Sequence, residues 1–144
     1  MRHMILIAAL AVCAVPAAAH AQPVSVPSSG LSDAIVEPFF QALKQGDVAL
    51  GLKRLTQDAP RLAARVAESD ELPKQIEGAI RSYGAIQSWE QIETVPLGTM
   101  LRRDTWLVQH RDFVTRWRFI YVRTAAGWTL TSFVFDDQAP SWFD

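Results

Sequence analysis

The chain has 144 residues, of which 14 are lysine or arginine and 15 are aspartate or glutamate, and it carries a single cysteine. This length suits one domain, and a hydrophobic content of 49% with 20% charged residues excludes a disordered chain. The net charge of −1 argues against a general nucleic-acid-binding protein, and one cysteine excludes a disulfide scaffold or a zinc site built on several thiolates.

Residues 1–21 are predicted to be a secretory signal peptide. Arg2 supplies the positive start, residues 5–15 are apolar but too few to cross a bilayer, and the Ala-His-Ala at 19–21 suits signal peptidase. Cleavage after residue 21 predicts a protein of the periplasm or a secreted one, with no transmembrane segment in its mature form. Two alternatives stay open, namely a buried N-terminal helix and lipoprotein processing at Cys13.

Removal of this segment changes the chemistry that the chain can perform. No cysteine would remain, and His110 would be the only histidine. Disulfides, cysteine nucleophiles and Cys/His metal sites are therefore not expected, and neither is a cofactor. The excess of arginine over lysine, 11 to 3, together with abundant alanine indicates a bacterial source.

The remaining chain divides into a tether (22–31), a single domain (32–138) and a C-terminal tail (139–144) that either docks or frays. From Tyr83 onward come 12 of the 14 aromatic residues, so a helical half precedes a strand-rich half. This order predicts an α+β fold with the N-terminal helices packed on one side of an antiparallel sheet.

Two or three helices are predicted in the first half from apolar residues at helical spacing. Pro38 starts or kinks the first helix, Gly46 ends it, and Asp47 caps the next. Another helix is expected to begin near Glu71 and to stop at Gly84. The apolar stripes consist of Ile35, Val36, Phe39, Phe40, Leu43, Val48, Leu52, Leu55, Leu62, Val66, Leu72, Ile76, Ile80 and Tyr83.

The second half predicts a four- to five-stranded sheet with strands near 89–95, 99–111, 115–124 and 128–136. Gly127 suits a three-residue hairpin loop that needs a positive φ angle. That loop pairs Trp117 with Phe135, Phe119 with Phe133 and Tyr121 with Thr131.

The preceding hairpin is predicted from side-chain alternation, with a four-residue loop at 112–115. In this register His110 faces Trp117 and Asp104 faces Arg123, on a sheet face that gathers the aromatic side chains. The opposite face is mixed, and part of it is apolar enough to need cover from a second copy of the protein.

The order of a helix, Gly46-Asp47, an alanine-rich helix, Ser82-Tyr83-Gly84 and antiparallel strands resembles the nuclear transport factor 2-like (cystatin-like α+β) superfamily. The final hairpin, with Trp117-Arg118-Phe119, Tyr121, Gly127-Trp128 and Phe133 to Asp136, is similar to that of small exported bacterial members of unknown function. The resemblance covers about residues 32–137. It implies a curved, cone-shaped sheet around helices, a pocket between them, and dimers through the outer face of the sheet.

That superfamily contains ketosteroid isomerase-like and polyketide cyclase-like enzymes as well as non-catalytic modules, so the resemblance leaves the function open. No residue of this chain matches the catalytic groups of the enzymes, and no catalytic residue is assigned. The candidates for lining a pocket are Tyr83, Trp106, His110, Trp117 and Tyr121, and the candidate charged pair is Asp104 with Arg123.

Each candidate also has a purely structural interpretation: core packing for the aromatic residues, a strand-end histidine, and a cross-strand salt bridge. Six arginines between residues 102 and 123, against Asp104 and Asp112, either attract an acidic ligand or form a solvated ladder.

The sequence thus predicts an exported, non-enzymatic module that binds a small apolar ligand or forms a homodimer through its sheet. The alternative is a small isomerase- or dehydratase-like enzyme, with His110 or Asp104 as base and Tyr121 or Tyr83 as hydrogen-bond donor. The enzyme needs a cavity in which two ionisable groups reach one substrate position.

Overall fold

A computed structural model describes residues 30–143, so the predicted signal peptide and most of the predicted tether lie outside the described residues. The elements are α1 (Gly30–Lys44), α2 (Val48–Thr56), α3 (Pro60–Ala67), α4 (Glu71–Tyr83), β1 (Ile86–Leu97), β2 (Leu101–His110), β3 (Val114–Thr124) and β4 (Gly127–Asp136). A short 3-10 helix at Ala139–Trp142 follows. The order of helices and then strands confirms the α+β fold.

The four strands form one antiparallel sheet in the order β1-β2-β3-β4, so each strand lies beside its neighbour in sequence and β1 and β4 are the edges. The helices cover one face of this sheet, which we call the inner face. The 3-10 helix lies on the other, the outer face, where Trp142 donates a hydrogen bond of 2.6 Å to Asp136. The C-terminal tail therefore docks on its own domain as far as it is described.

Local signals explain where the helices start and stop. The Asp47 carboxylate accepts a hydrogen bond of 2.8 Å from the Leu50 amide and caps α2. Gly46, with a φ angle of +83°, turns the chain out of α1 before this cap. Pro60 lacks an N–H and begins α3, so the apolar stripe after Asp47 is divided into two helices, and the described residues contain four α-helices.

The core between helices and sheet is filled by aromatic rings. Phe39 and Phe40 from α1 are fully buried and reach across to Trp117 in the middle of the sheet, with ring centres 5.4 and 5.6 Å away. Trp106 and Phe119 complete this layer at 3% and 0% exposure. Rings at these separations and tilts pack by dispersion and by edge-to-face attraction, which leaves little room for water in the centre of the domain.

The β3–β4 hairpin agrees with the sequence prediction except near its loop. Trp117 pairs with Phe135 and Phe119 with Phe133, and Gly127 has a φ angle of +115°. The predicted pair of Tyr121 with Thr131 is wrong, because a bulge after Ile120 places Tyr121 opposite Leu130.

The predicted β2–β3 register is wrong by four residues. Trp106 pairs with Trp117 and Asp104 with Phe119, so His110 does not face Trp117 and Asp104 does not face Arg123. The loop has two residues rather than four, because the His110 amide donates a hydrogen bond of 2.8 Å to the Phe113 carbonyl. A shift of four residues keeps every side chain on its predicted face, so the aromatic side chains still share the inner face.

The α4–β1 connection determines this short loop. The amides of Arg111 and Asp112 donate hydrogen bonds of 3.0 and 2.9 Å to the carbonyls of Ala85 and Tyr83. Gly84 lies between these acceptors with a φ angle of +86°, and a Cβ atom there would lie 2.8 Å from the Arg111 Cβ. The end of α4 and the tip of the β2–β3 hairpin are therefore in backbone contact.

Candidate functional site

A cleft with a volume of about 600 Å³ lies between α1, the α2–α3 connection and the β3–β4 hairpin. This volume falls within the range of small-molecule sites. Eight of its twelve lining residues are apolar or aromatic: Ala34, Ile35, Leu55, Ala59, Pro60, Ala126, Trp128 and Leu130. The other four are Arg54, Gln57, Asp58 and Thr129.

Trp128 provides the aromatic wall of this cleft, and two arginines hold its ring. The guanidinium carbons of Arg102 and Arg123 lie 5.4 and 6.0 Å from the ring centre. At these distances the cations are attracted to the ring face, and the attraction restrains the indole. The aromatic wall is thus positioned before any ligand binds.

Three of the four polar residues of the cleft lie at the end of α2 and in its connection to α3, and the fourth, Thr129, lies on β4. Arg54 donates a hydrogen bond of 3.4 Å to the Pro38 carbonyl in α1. Pro38 has no amide hydrogen, so Ala34, which lines the cleft four residues earlier, lacks the usual helical donor for its carbonyl. Apolar and aromatic side chains with polar groups beside them are typical of sites that bind and orient a small molecule.

His110, a predicted pocket residue, lies in the core and is 1% exposed. Its Nδ1 lies 3.1 Å from the Gly84 carbonyl and its Nε2 lies 3.0 Å from the Thr115 hydroxyl. The Gly84 carbonyl only accepts, so Nδ1 carries the proton and Nε2 accepts from Thr115, which in turn accepts from the Trp117 indole at 2.9 Å. Burial lowers the pKa of His110 and outweighs the opposing effect of the Gly84 carbonyl.

Asp104 forms its ion pair with Arg102 rather than with Arg123. The carboxylate is 0% exposed and lies 2.9 Å from the Arg102 guanidinium, whose side chain is 10% exposed. Its second oxygen accepts a hydrogen bond of 3.0 Å from Thr94, which accepts one of 2.8 Å from Gln91. Arg102 thus spans from this buried network to the ring of Trp128 in the cleft.

The two tyrosines are separated by the structure. Tyr121 is fully buried, with its hydroxyl 3.5 Å from that of Ser32, and burial raises the pKa of its phenol. Tyr83 stacks on Phe113 with ring centres 4.9 Å apart and donates a hydrogen bond to the Asp137 carboxylate. This hydrogen bond raises the pKa of Tyr83 and lowers that of Asp137.

The predicted site residues are therefore not gathered around one position. Asp104 and His110 are six residues apart on β2, which corresponds to roughly 20 Å along an extended strand. Trp106 and Trp117 fill the core between them. Tyr83 lines a separate groove of about 320 Å³ near Asp136 and Asp137.

Sequence reasoning missed the residues that form the 600 Å³ cleft. They come from helix α1 and from two connections far apart in the chain, and no periodic pattern links the α2–α3 connection to the β3–β4 hairpin. The available signals were Pro60, which marks a break between helices, and the Gly127-Trp128 pair, which places an aromatic ring next to a tight turn.

Comparison of the chain with protein-family models, with curated proteins and with solved structures found no match. Among residues 30–143, no helix is long and apolar enough to span a membrane. The same residues contain no group of three histidine, cysteine, aspartate or glutamate side chains placed to hold a metal ion.

Proposed function

We propose that this protein is an exported, non-enzymatic binding module that takes a small apolar ligand in the cleft beside Trp128. The observation that carries the proposal is the cleft itself, which has a volume of about 600 Å³ and a restrained aromatic wall, and which is lined by eight apolar or aromatic residues and four polar or charged ones. Sites with this composition gain affinity from buried apolar area and use the polar groups for orientation.

A binding role also agrees with the partners of the ionisable core residues. His110 hydrogen-bonds Gly84 and Thr115, and Asp104 is held by Arg102 and Thr94. A general base needs free access to a substrate proton, whereas both of these groups are almost completely enclosed. These contacts favour structural roles over the isomerase- or dehydratase-like alternative.

Export is the part of the proposal that rests on the sequence. A positive start, an apolar stretch too short for a bilayer and the Ala-His-Ala at 19–21 together favour cleavage after Ala21 and a bacterial periplasmic or secreted protein. The resemblance to exported nuclear transport factor 2-like proteins supports the same location and stays a prediction.

Filling the cleft is expected to weaken binding of a neutral apolar probe. Ala34 is exposed on α1 and lines the cleft, so Ala34→Trp would place an indole in the cleft without disturbing the core. We expect the full chain to bind N-phenyl-1-naphthylamine saturably in a fluorescence titration, and Ala34→Trp to weaken this binding by roughly tenfold or more.

The matched control is Ala49→Trp, which adds the same side chain at an exposed position of α2 outside the cleft. This variant is expected to bind the probe as the unmodified chain does. The proposal is contradicted if the unmodified chain shows no saturable binding, or if Ala34→Trp and Ala49→Trp bind equally well.

A second candidate function is homodimerisation through the outer face of the sheet. Ile92 on β1 and Val134 on β4 are exposed by 46% and 47%, although both lie in strands of a well-packed sheet. Val95 is exposed by 36% near the end of β1. Exposed apolar side chains spread over one sheet face favour burial against another surface, and a second copy offers the same set.

Val134→Lys is expected to weaken such a dimer because it buries a charge in the interface. Sedimentation analysis of the unmodified chain should show a mass that rises from monomer to dimer with concentration, and Val134→Lys should shift this transition at least about tenfold higher. Met100→Lys, at a position 69% exposed in the β1–β2 loop, is the control for added charge. A monomer at every concentration rules the dimer out.

A further inference from the structure

The outer face carries a second groove, of about 350 Å³, between the strands and the docked C-terminal segment. Leu107 and Ile92 form its apolar floor, and Trp142 and Phe143 form one wall. Phe143 is 91% exposed, which is unusual for a phenylalanine next to a groove and leaves apolar area available for contact.

Two arginines of this groove share one carboxylate. Arg116 and Arg118 both donate to the same oxygen of Asp136, each at 3.2 Å. Charge-assisted hydrogen bonds are normally about 2.7–2.9 Å long, so these three contacts are stretched. One carboxylate neutralises one guanidinium, so a positive charge remains uncompensated at this position.

The other groups nearby do not supply the missing negative charge. Burial by itself would raise the pKa of Asp136, but hydrogen bonds from Trp142, the Gln138 amide and Arg116 outweigh burial and lower it, so this carboxylate is already ionised. Glu93, the acidic residue that lines the groove, is engaged by Arg103 at 3.0 Å.

Arg118 also has an unused donor. Its Nε is enclosed and has no hydrogen-bond partner among the described residues, and only its Nη2 contacts Asp136. An enclosed donor without a partner is unfavourable, and the Arg118 side chain is 35% exposed, so a ligand carboxylate can reach the outer, Nη edge of the guanidinium.

We propose that this groove binds an organic carboxylate with an apolar body. The carboxylate pairs with Arg118 and Arg116, and the apolar body lies over Leu107 and against Trp142 and Phe143. The arginine-rich strand pair thereby acquires a specific role at this groove, where two of its six arginines share the single carboxylate of Asp136.

The test uses octanoate as probe and the indole N–H signal of Trp142 in a nitrogen-15 correlation spectrum of the full chain as readout. We expect octanoate to shift this signal saturably, and Arg118→Gln to weaken binding by roughly tenfold or more, the loss expected for a charge-assisted pair of hydrogen bonds. Arg118 is partly exposed and Asp136 keeps Arg116, so the variant is expected to fold.

Arg123→Gln is the matched control, because it removes the same charge at the Trp128 ring, outside the groove. It should bind octanoate like the unmodified chain. Three results overturn the proposal: octanamide, which lacks the charge, binds as tightly as octanoate; Arg118→Gln and Arg123→Gln have equal effects; or the Trp142 signal responds to protein concentration and not to octanoate, which would indicate a second copy on this face.

Discussion

Replacing Asp104 by alanine is expected to lower the free energy of unfolding by about 3–5 kcal/mol, the usual cost of removing one partner of a buried ion pair. The carboxylate is 0% exposed and the Arg102 side chain only 10% exposed, so the guanidinium would be left in a poorly hydrated site without its counterion. Thr94 would lose its acceptor as well.

Urea unfolding followed by tryptophan fluorescence measures this change. The double variant Arg102→Met, Asp104→Leu should recover most of the lost stability, since two apolar side chains remove both the charge and its partner. Asp112→Ala is the control, because its pair with Arg111 is exposed on both sides and should contribute nothing measurable. An Asp104→Ala variant as stable as Asp112→Ala would contradict this view of the pair.

His110→Ala is expected to lower the free energy of unfolding by about 3 kcal/mol. The substitution leaves a cavity, and the Gly84 carbonyl and the Thr115 hydroxyl each lose a hydrogen bond. The effect depends on both ring nitrogens, each of which has a hydrogen-bond partner in the core. Urea unfolding near pH 8, where the imidazole is neutral in both states, gives the substitution cost without any contribution from titration.

The same residue is expected to make stability depend on pH. Burial lowers the pKa of His110 below its value of about 6.5 in the unfolded chain, so the unfolded chain binds more protons as the pH falls. The contribution of the neutral imidazole to the free energy of unfolding is therefore fully present above about pH 6.5. It declines as the pH falls below this value towards the lowered pKa of the folded state. Above pH 7.5 no dependence on His110 is expected.

His110→Gln removes the titration and keeps a polar side chain, so it is the comparison for the pH effect. The difference in unfolding free energy between the unmodified chain and His110→Gln should shrink as the pH falls from about 7.5 to 5.5. The carboxylates titrate equally in both proteins, so their contributions to the unfolding free energy cancel in the difference. A difference that stays constant over this interval would show that His110 is not the group responsible.

The sequence was sufficient to predict the helices and strands because their signals are local. The Asp47 cap, the Gly84 stop and the apolar stripe through Phe39 and Phe40 depend on residues a few positions apart. Alternation likewise assigned the inner face correctly, from Asp104 and Trp106 to Trp117 and Phe119. The sequence predicted two or three helices and the described residues contain four, since Pro60 interrupts a stripe that otherwise continues.

Register was not predictable in the same way. Alternation determines which face a side chain takes, but a shift of four residues leaves the faces unchanged, so the pattern could not distinguish His110 facing Trp117 from the observed pairs. The deciding contacts are the hydrogen bonds from Arg111 and Asp112 to the α4–β1 connection. These hydrogen bonds join residues that are 26 or more positions apart in the chain. The β2–β3 loop that donates them contains no glycine or proline that would indicate its length.

The candidate site was harder to predict for a related reason. The aromatic residues that suggested a pocket, Trp106, Trp117 and Tyr121, lie on the inner face of the sheet and are buried in the core. The cleft lies instead at the edge of the core, where Leu55, Ala59 and Leu130 of the core meet Pro60 and Trp128. Which connections leave such a space depends on how the layers pack, and this is not encoded by local spacing.

The backbone contact between the end of α4 and the β2–β3 hairpin has a consequence for cooperativity. Hairpin tips usually open independently of the rest of a domain, because their amides face water. Here the amides of Arg111 and Asp112 donate hydrogen bonds to carbonyls at the end of α4 and just after it. The buried His110 ring hydrogen-bonds the Gly84 carbonyl of the same connection. The tip can open only when its hydrogen bonds to Tyr83 and Ala85 break, so opening of the hairpin is coupled to the end of the helical layer.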